Sequence, residues 1–171
     1  MRIIALDLAS TTGFAYGGHT GMTDYSGALN LRLEQKSEKD KGKFTGKSFR
    51  NFYLWLDDVI QCELLVYPGE PITIVYERPS SRPMWHTQRI AHGLAGMVEM
   101  LEGKYAHNGV VCTNVPPKGI KKFFTGAGNA DKELMLVTAR EIYPDCVDDN
   151  EADAIALFHY WQAVYNGEDV T

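Results

Sequence analysis

The chain has 171 residues, of which 44% are hydrophobic and 23% charged, and this composition predicts one globular domain large enough to bury a core. The formal net charge of −5 speaks against a nucleic-acid partner, and the lack of an apolar stretch long enough to span a bilayer predicts a cytoplasmic protein with no membrane partner. The three cysteines are widely spaced and form no CxxC pair, which favours reduced core thiols over a zinc site; they are Cys62, Cys112 and Cys146.

The first predicted element is a buried strand that ends in a single acid, Asp7. Residues 3–6 form a continuous apolar run, as expected for a strand covered on both faces of a sheet. A carboxylate at the end of such a strand must be paired, hydrogen-bonded or bound to a metal, because an isolated buried charge is very unfavourable. The carboxyl ends of strands are also where open α/β sheets bind ligands. The alternative is that Asp7 only caps the turn predicted at residues 10–13.

The next predicted elements are two strands, a basic loop and a helix. Residues 14–16 and 25–31 are predicted to complete an antiparallel meander with the first strand. Residues 32–50 contain seven lysines and arginines, three acids and two glycines, which indicates a basic loop. Apolar residues at helical spacing then predict an amphipathic helix over residues 48–67.

A second apolar run, residues 72–77, also ends in one acid, Glu77. If a strand–helix–strand connection places this strand beside the first and parallel to it, Glu77 and Asp7 meet at one edge of the sheet. A basic segment follows and contains candidate contacts to nucleic-acid phosphates and stacked bases, namely Arg78, Arg82 and Trp85. The alternative for the tryptophan is that it covers the core beneath the loop.

A helix over about residues 87–103 and a strand over 109–115, ended by two prolines, are predicted next. Beyond them a glycine-rich turn at residues 125–128 is surrounded by four lysines, which are Lys118, Lys121, Lys122 and Lys132. Lys132 opens a further predicted helix, whose free backbone amides favour a phosphate. All 17 lysines and arginines lie at or before Arg140, whereas eight of the 22 acids follow it, so the acidic charge is concentrated at one end. An ordinary solvated face with an acidic C-terminus would give the same charge pattern.

The final predicted helix starts in the sequence DDNEADAIALFHYW, residues 148–161. Asp149 and Asp153 are four residues apart and share one face, and Asn150 lies nearly on that face. Acids at a helix start often only compensate the helix dipole. That explanation is weaker for Asp153, which lies a full turn inside the helix.

The order of these features resembles the RuvC family of Holliday-junction resolvases, most closely its phage-encoded members. The resemblance covers nearly the whole chain and rests on LDLASTTG around Asp7, the strand that ends at Glu77, TGAGNADK at residues 125–132 and EADAIAL at residues 151–157. It implies an α/β, RNase H-like fold in one domain over residues 1–171, with a mixed five-stranded sheet flanked by helices. It also implies a homodimer that nicks paired strands of a four-way DNA junction, in recombination and repair, with Mg²⁺.

The resemblance carries site residues with it. Asp7, Glu77 and Asp153 match the metal-binding acids, and Lys121 and Lys132 match basic residues near the scissile phosphate. The family usually has an acid or a histidine where this chain has Asn150. We favour Asp149 as the fourth ligand because it is charged and lies one turn before Asp153. The alternative is that Asp149 is the N-cap of the helix and Asn150 the ligand.

The residue types suit this chemistry. Carboxylate oxygens suit Mg²⁺ or Mn²⁺, and two such ions can activate water and stabilise the leaving oxygen in phosphodiester hydrolysis. Without cations, clustered carboxylates repel one another and the pKa of at least one should rise. Lys132 could stabilise charge that develops on the phosphate.

Two other functions fit part of the pattern. LDLASTTGFAYG also resembles the first phosphate loop of the actin-like ATPases, but the chain is short for two such domains and shows no second phosphate loop. A junction-binding protein that has lost catalysis is the other alternative, which the presence of Asp7, Glu77 and Asp153 disfavours.

Overall fold

The structure of the protein, a computed structural model, describes residues 1–32, 43–79 and 85–170. Within these residues the strands are β1 (Arg2–Asp7), β2 (Thr11–Gly18), β3 (Tyr25–Asn30), β4 (Ile72–Glu77) and β5 (Val110–Val115). The helices are α1 (Gly46–Val66), α2 (Trp85–Tyr105), α3 (Pro117–Thr125), α4 (Lys132–Ile142) and α5 (Asp149–Tyr165), and a 3₁₀ turn over Ala106–Asn108 follows α2.

The strands form one mixed sheet in the order β3–β2–β1–β4–β5. β2 pairs antiparallel with β1 and with β3, whereas β4 pairs parallel with β1 and with β5. This arrangement confirms the predicted α/β fold with a mixed five-stranded sheet, including the meander and the placement of β4 beside β1.

Helices cover both faces of the sheet, as the side chains of β1 show. Ile3 and Ala5 pack in the core that contains α5, and Ile4 and Leu6 pack in the core that contains α1 and α2. All four are fully buried. Successive strand residues point to opposite faces, so a strand covered on both faces needs an unbroken apolar run. Because β1 is the central strand, its carboxyl end, at Asp7, lies in the middle of the edge formed by the ends of the strands.

The stretch after β5 differs from the prediction. The predicted glycine-rich turn at residues 125–128 is present, but it is preceded by a helix that the sequence pattern does not predict. This is the amphipathic helix α3, with Pro117 at its start and Ile120 buried against the core. Proline is well suited to the first position of a helix, where its missing N–H costs nothing. The helix has only nine residues and contains a glycine, Gly119, so the sequence gives a weak helical signal.

The prediction of reduced core cysteines is only partly met. All three cysteines are free, as predicted, but only Cys146 is buried, and Cys62 is exposed. The centre of the predicted basic loop, residues 33–42, and Arg82 lie outside the described residues. Among the residues that the structure describes, none of the helices combines the length and the hydrophobicity that a bilayer crossing requires.

Candidate active site

Two carboxylates meet at the carboxyl edge of the parallel strands. Leu6 of β1 lies opposite Tyr76 of β4, so the next residues, Asp7 and Glu77, follow side by side at the ends of their strands. The turn after β1 is closed by Thr12, whose hydroxyl donates to the Ala9 carbonyl at 2.8 Å. The Asp7 side chain forms no hydrogen bond with any described residue and is therefore not the cap of that turn. Its carboxylate is available for another role.

The start of α5 brings two more carboxylates to this edge. Asp148 is the N-cap of the helix, and its Oδ1 accepts a hydrogen bond from the Glu151 amide at 2.9 Å. The alternative that Asp149 is the cap is therefore wrong. Asp149 occupies the first helical position and Asp153 lies one turn further on, so neither side chain is the N-cap of the helix.

The position of α5 depends on Gly13 of β2. Gly13 lies opposite Asp7 in the β1–β2 pairing. A Cβ atom at this position would stand 1.8 Å from the Asn150 carbonyl oxygen and 2.4 Å from its carbon. The first turn of α5 thus rests directly on the backbone of β2 beside Asp7, an approach that only glycine permits. The sequence pattern identifies Gly13 only as a turn residue, and its packing role is visible only in the tertiary structure.

The three innermost carboxyl groups repel one another. Burial, then the nearby charges of Asp153 and Glu77, raise the pKa of Asp7 to about 8. Burial, then the charge of Asp153, raise the pKa of Glu77 to about 7. Burial also raises the pKa of Asp153, with a further contribution from Asp149. The predicted rise in carboxyl pKa is present, and a bound cation would offset the repulsion that contributes to it.

Two lysines border the acids. Lys132 forms an ion pair with Asp149, which lowers the pKa of Asp149 and raises that of the lysine. Lys121 donates from Nζ to the Ala130 carbonyl at 2.9 Å, and its charge lowers the pKa of Glu77 and Asp153. Both lysines therefore lie where their positive charge acts on the carboxylates.

The other predicted DNA contacts that the structure describes lie on the surface around this edge. Lys118 and Lys122 are exposed on α3, and Arg78 is exposed directly after β4, where its Nε donates to Asn114 Oδ1 at 2.8 Å. Trp85 is 73% exposed at the start of α2, so the alternative that it covers the core is wrong. An exposed tryptophan is suited to stacking on a base.

The donor set fits a hard divalent cation, although the side chains are not arranged around one. Among the described residues, no group of three or more His, Cys, Asp or Glu side chains has the geometry of a metal site, and Asp149 is paired with Lys132. Four carboxylates that converge on one edge supply oxygen donors only, which is the ligand type that Mg²⁺ and Mn²⁺ prefer. The residues present therefore fit such an ion chemically.

Comparison with known proteins supports the fold. No protein-family model matches the sequence, and a search of curated proteins finds no match. Among solved structures, RuvC from Thermus thermophilus matches with a TM-score of 0.68 and 15% identity over 98% of this chain and 97% of that chain. The same protein in complex with a Holliday junction substrate matches with a TM-score of 0.62 and 15% identity over 98% and 96%.

A third match is the yeast mitochondrial Holliday junction resolvase Ydc2, with a TM-score of 0.61 and 13% identity over 94% of this chain and 77% of that chain. These identities are too low to carry residue roles or activity from one protein to another. The agreement over nearly the whole chain shows that this protein has the α/β, RNase H-like fold of RuvC-type Holliday junction resolvases.

Proposed function

We propose that the protein is a metal-dependent endonuclease that nicks four-way DNA junctions. The observation that carries this proposal is the convergence of four carboxylates, with flanking lysines, on one sheet edge; they are Asp7, Glu77, Asp149 and Asp153. The pKa values of all but Asp149 are raised. The fold, shared with resolvases, favours branched DNA over other phosphodiester substrates.

The four carboxylates would hold Mg²⁺ or Mn²⁺, and two ions would activate water and stabilise the leaving oxygen. The protein's own contribution is to hold these carboxylates at fixed points on β1, β4 and α5. Lys132 lies beside Asp149 with its side chain 78% exposed, so its ammonium can also reach a phosphate oxygen and balance charge there.

Asp149 remains our choice for the fourth ligand. Its charge acts on both Asp7 and Asp153, as expected for a carboxylate directed at the same space. Asn150 offers a neutral amide oxygen, and its backbone carbonyl packs against Gly13. A charged ligand stabilises a bound cation more than a neutral one, so the charge favours Asp149.

The DNA-binding surface would combine basic and stacking groups around the acids. Its described members are Arg78, Trp85, Lys118, Lys121, Lys122 and Lys132, and Arg82 is added from the sequence. Phosphate contacts from these side chains would hold a DNA strand against a protein whose net charge is −5. A homodimer would present two active sites to the two equivalent strands of a junction. Such an enzyme would act in DNA recombination and repair.

The test is a nicking assay on an end-labelled four-way junction, with matched duplex, flap and RNA/DNA hybrid, in Mg²⁺ and in EDTA. Paired nicks at the junction that require Mg²⁺ and disappear in Asp7→Asn are the expected result. Junction binding without nicking at any metal concentration would instead indicate the inactive binding protein. ATP hydrolysis without nicking would indicate the actin-like alternative.

A further inference from the structure

Glu151 is a buried acid in the first turn of α5, and the mechanism above gives it no role. It is 5% exposed, although the two residues before it in the helix, Asp149 and Asn150, are only half-buried. Its Oε1 accepts a hydrogen bond from the Ser26 hydroxyl at 2.7 Å, and its Oε2 accepts from the Val147 amide at 2.8 Å. A buried carboxylate with both oxygens occupied is a specific structural connection.

Helix capping does not explain both hydrogen bonds of Glu151. In a capping box, the third helical residue accepts a hydrogen bond from the amide of the N-cap, which here would be Asp148. Glu151 instead accepts from Val147, one residue earlier, and its second oxygen reaches Ser26 on the edge strand β3, 125 residues away in sequence. The bond to Ser26 joins α5 to the sheet and contributes nothing to capping.

This bond holds the part of α5 that carries the proposed ligands. Glu151 lies between Asp149 and Asp153 in the chain, and the preceding residue, Asn150, packs against Gly13 of β2. The first turn of α5 is thus held by contact with β2, by the buried Ala152 in the core and by the hydrogen bond to β3. The hydrogen bond is the directional contact among these, so it restricts the rotation of the helix more narrowly than apolar packing does.

From this geometry we infer that Glu151 is a positioning residue that, through Ser26, aims Asp149 and Asp153 at the metal ions. The inference rests on the proposed function, since it assumes that these acids bind metal. The carboxylates at the site repel one another, so a helix end without this connection would move away from Asp7 and Glu77. Groups that orient metal ligands typically contribute about 10-fold to 100-fold to metal affinity.

The test measures Mn²⁺ binding by titration calorimetry on the full chain without DNA, together with the melting temperature. Ser26→Ala removes the hydroxyl donor and should raise the Mn²⁺ dissociation constant about tenfold. Glu151→Ala should raise the Mn²⁺ dissociation constant further. If Glu151→Ala folds poorly, Ser26→Ala alone provides the test. Glu151→Gln should stay close to wild type, because the amide can accept from Val147 and donate to Ser26.

A matched control is Glu102→Ala on α2. Glu102 accepts from the Cys112 amide at 2.9 Å and from its thiol at 3.1 Å, so it joins a helix to the sheet in a similar way but away from the acids. This variant should melt at a lower temperature and bind Mn²⁺ like wild type.

If Ser26→Ala and Glu151→Ala lower the melting temperature as the control does but keep wild-type Mn²⁺ affinity, Glu151 is only structural and the inference is wrong. If Glu151→Gln is as damaging as Glu151→Ala, the charge of Glu151 matters rather than its hydrogen bonds, which also contradicts the inference. A wild type that binds Mn²⁺ but nicks no junction would overturn the proposed function alone, and the Mn²⁺ titrations of the variants would still decide the role of Glu151. A wild type that binds no Mn²⁺ would overturn both.

Discussion

Gly13→Ala should impair nicking far more than it impairs folding or DNA binding. The added methyl group would stand 1.8 Å from the Asn150 carbonyl oxygen, whereas real Cβ atoms essentially never approach closer than 3.0 Å. The first turn of α5 and β2 must therefore separate by roughly 1.2 Å. Because the obstacle is backbone on both sides, no side-chain rotation relieves it.

This displacement moves Asp149 and Asp153 relative to Asp7, which lies on the strand paired with Gly13. A misplacement of about 1 Å at a catalytic site can cost roughly 100-fold in rate, so we expect a reduction of about that size in the single-turnover rate of nicking. Overpacking of this kind costs about 1–3 kcal/mol of unfolding free energy, which a folded domain can usually tolerate.

The assay follows nicking of a preformed complex with a labelled junction at saturating Mg²⁺, alongside junction affinity and the melting temperature. Gly96→Ala on α2 is the control, because a Cβ there meets nothing within 4 Å. It should leave all three quantities near their wild-type values. Nicking by Gly13→Ala within a few-fold of wild type would show that the close contact of α5 with β2 does not position the acids.

Three further predictions concern charge. In EDTA, the melting temperature should fall from pH 7 to pH 9, and it should fall less in Asp7→Asn. Asp7 has a pKa of about 8 in the folded state, whereas its carboxyl is already ionised in the unfolded state at pH 7. Folding therefore takes up a proton on Asp7, and rising pH destabilises the folded state until that proton is lost. Equal slopes in the two proteins would contradict this. Replacing Lys121 and Lys122 with alanine should weaken junction binding. It should also reduce the steepness of the slope of log affinity against log salt concentration by about 0.9 for each phosphate that the protein no longer neutralises. An unchanged slope would show that these lysines do not bind DNA. Asp149→Asn should raise the Mg²⁺ concentration that half-maximal nicking requires, and Asn150→Ala should change it little; the reverse order would identify Asn150 as the ligand.

Local sequence patterns by themselves predicted the strands and the acids at the ends of β1 and β4. The unbroken apolar runs before Asp7 and Glu77 predict strands covered on both faces, because side chains alternate between faces along a strand. The helical spacing between the two runs predicts the crossover that makes them parallel neighbours. The convergence of these two acids followed from short-range periodicity and chain connectivity, and the structure agrees with it.

Only the tertiary structure decided how α5 meets the sheet. The contact of Gly13 with Asn150 and the hydrogen bond of Ser26 to Glu151 join residues more than a hundred positions apart. A local pattern carries no information about which distant backbone or side chain will lie opposite it. Gly13 therefore resembles any turn glycine in the sequence, and Glu151 resembles one more acid that compensates a helix dipole. Their packing depends on the sheet, since β2 and β3 supply the surface on which the first turn of α5 rests.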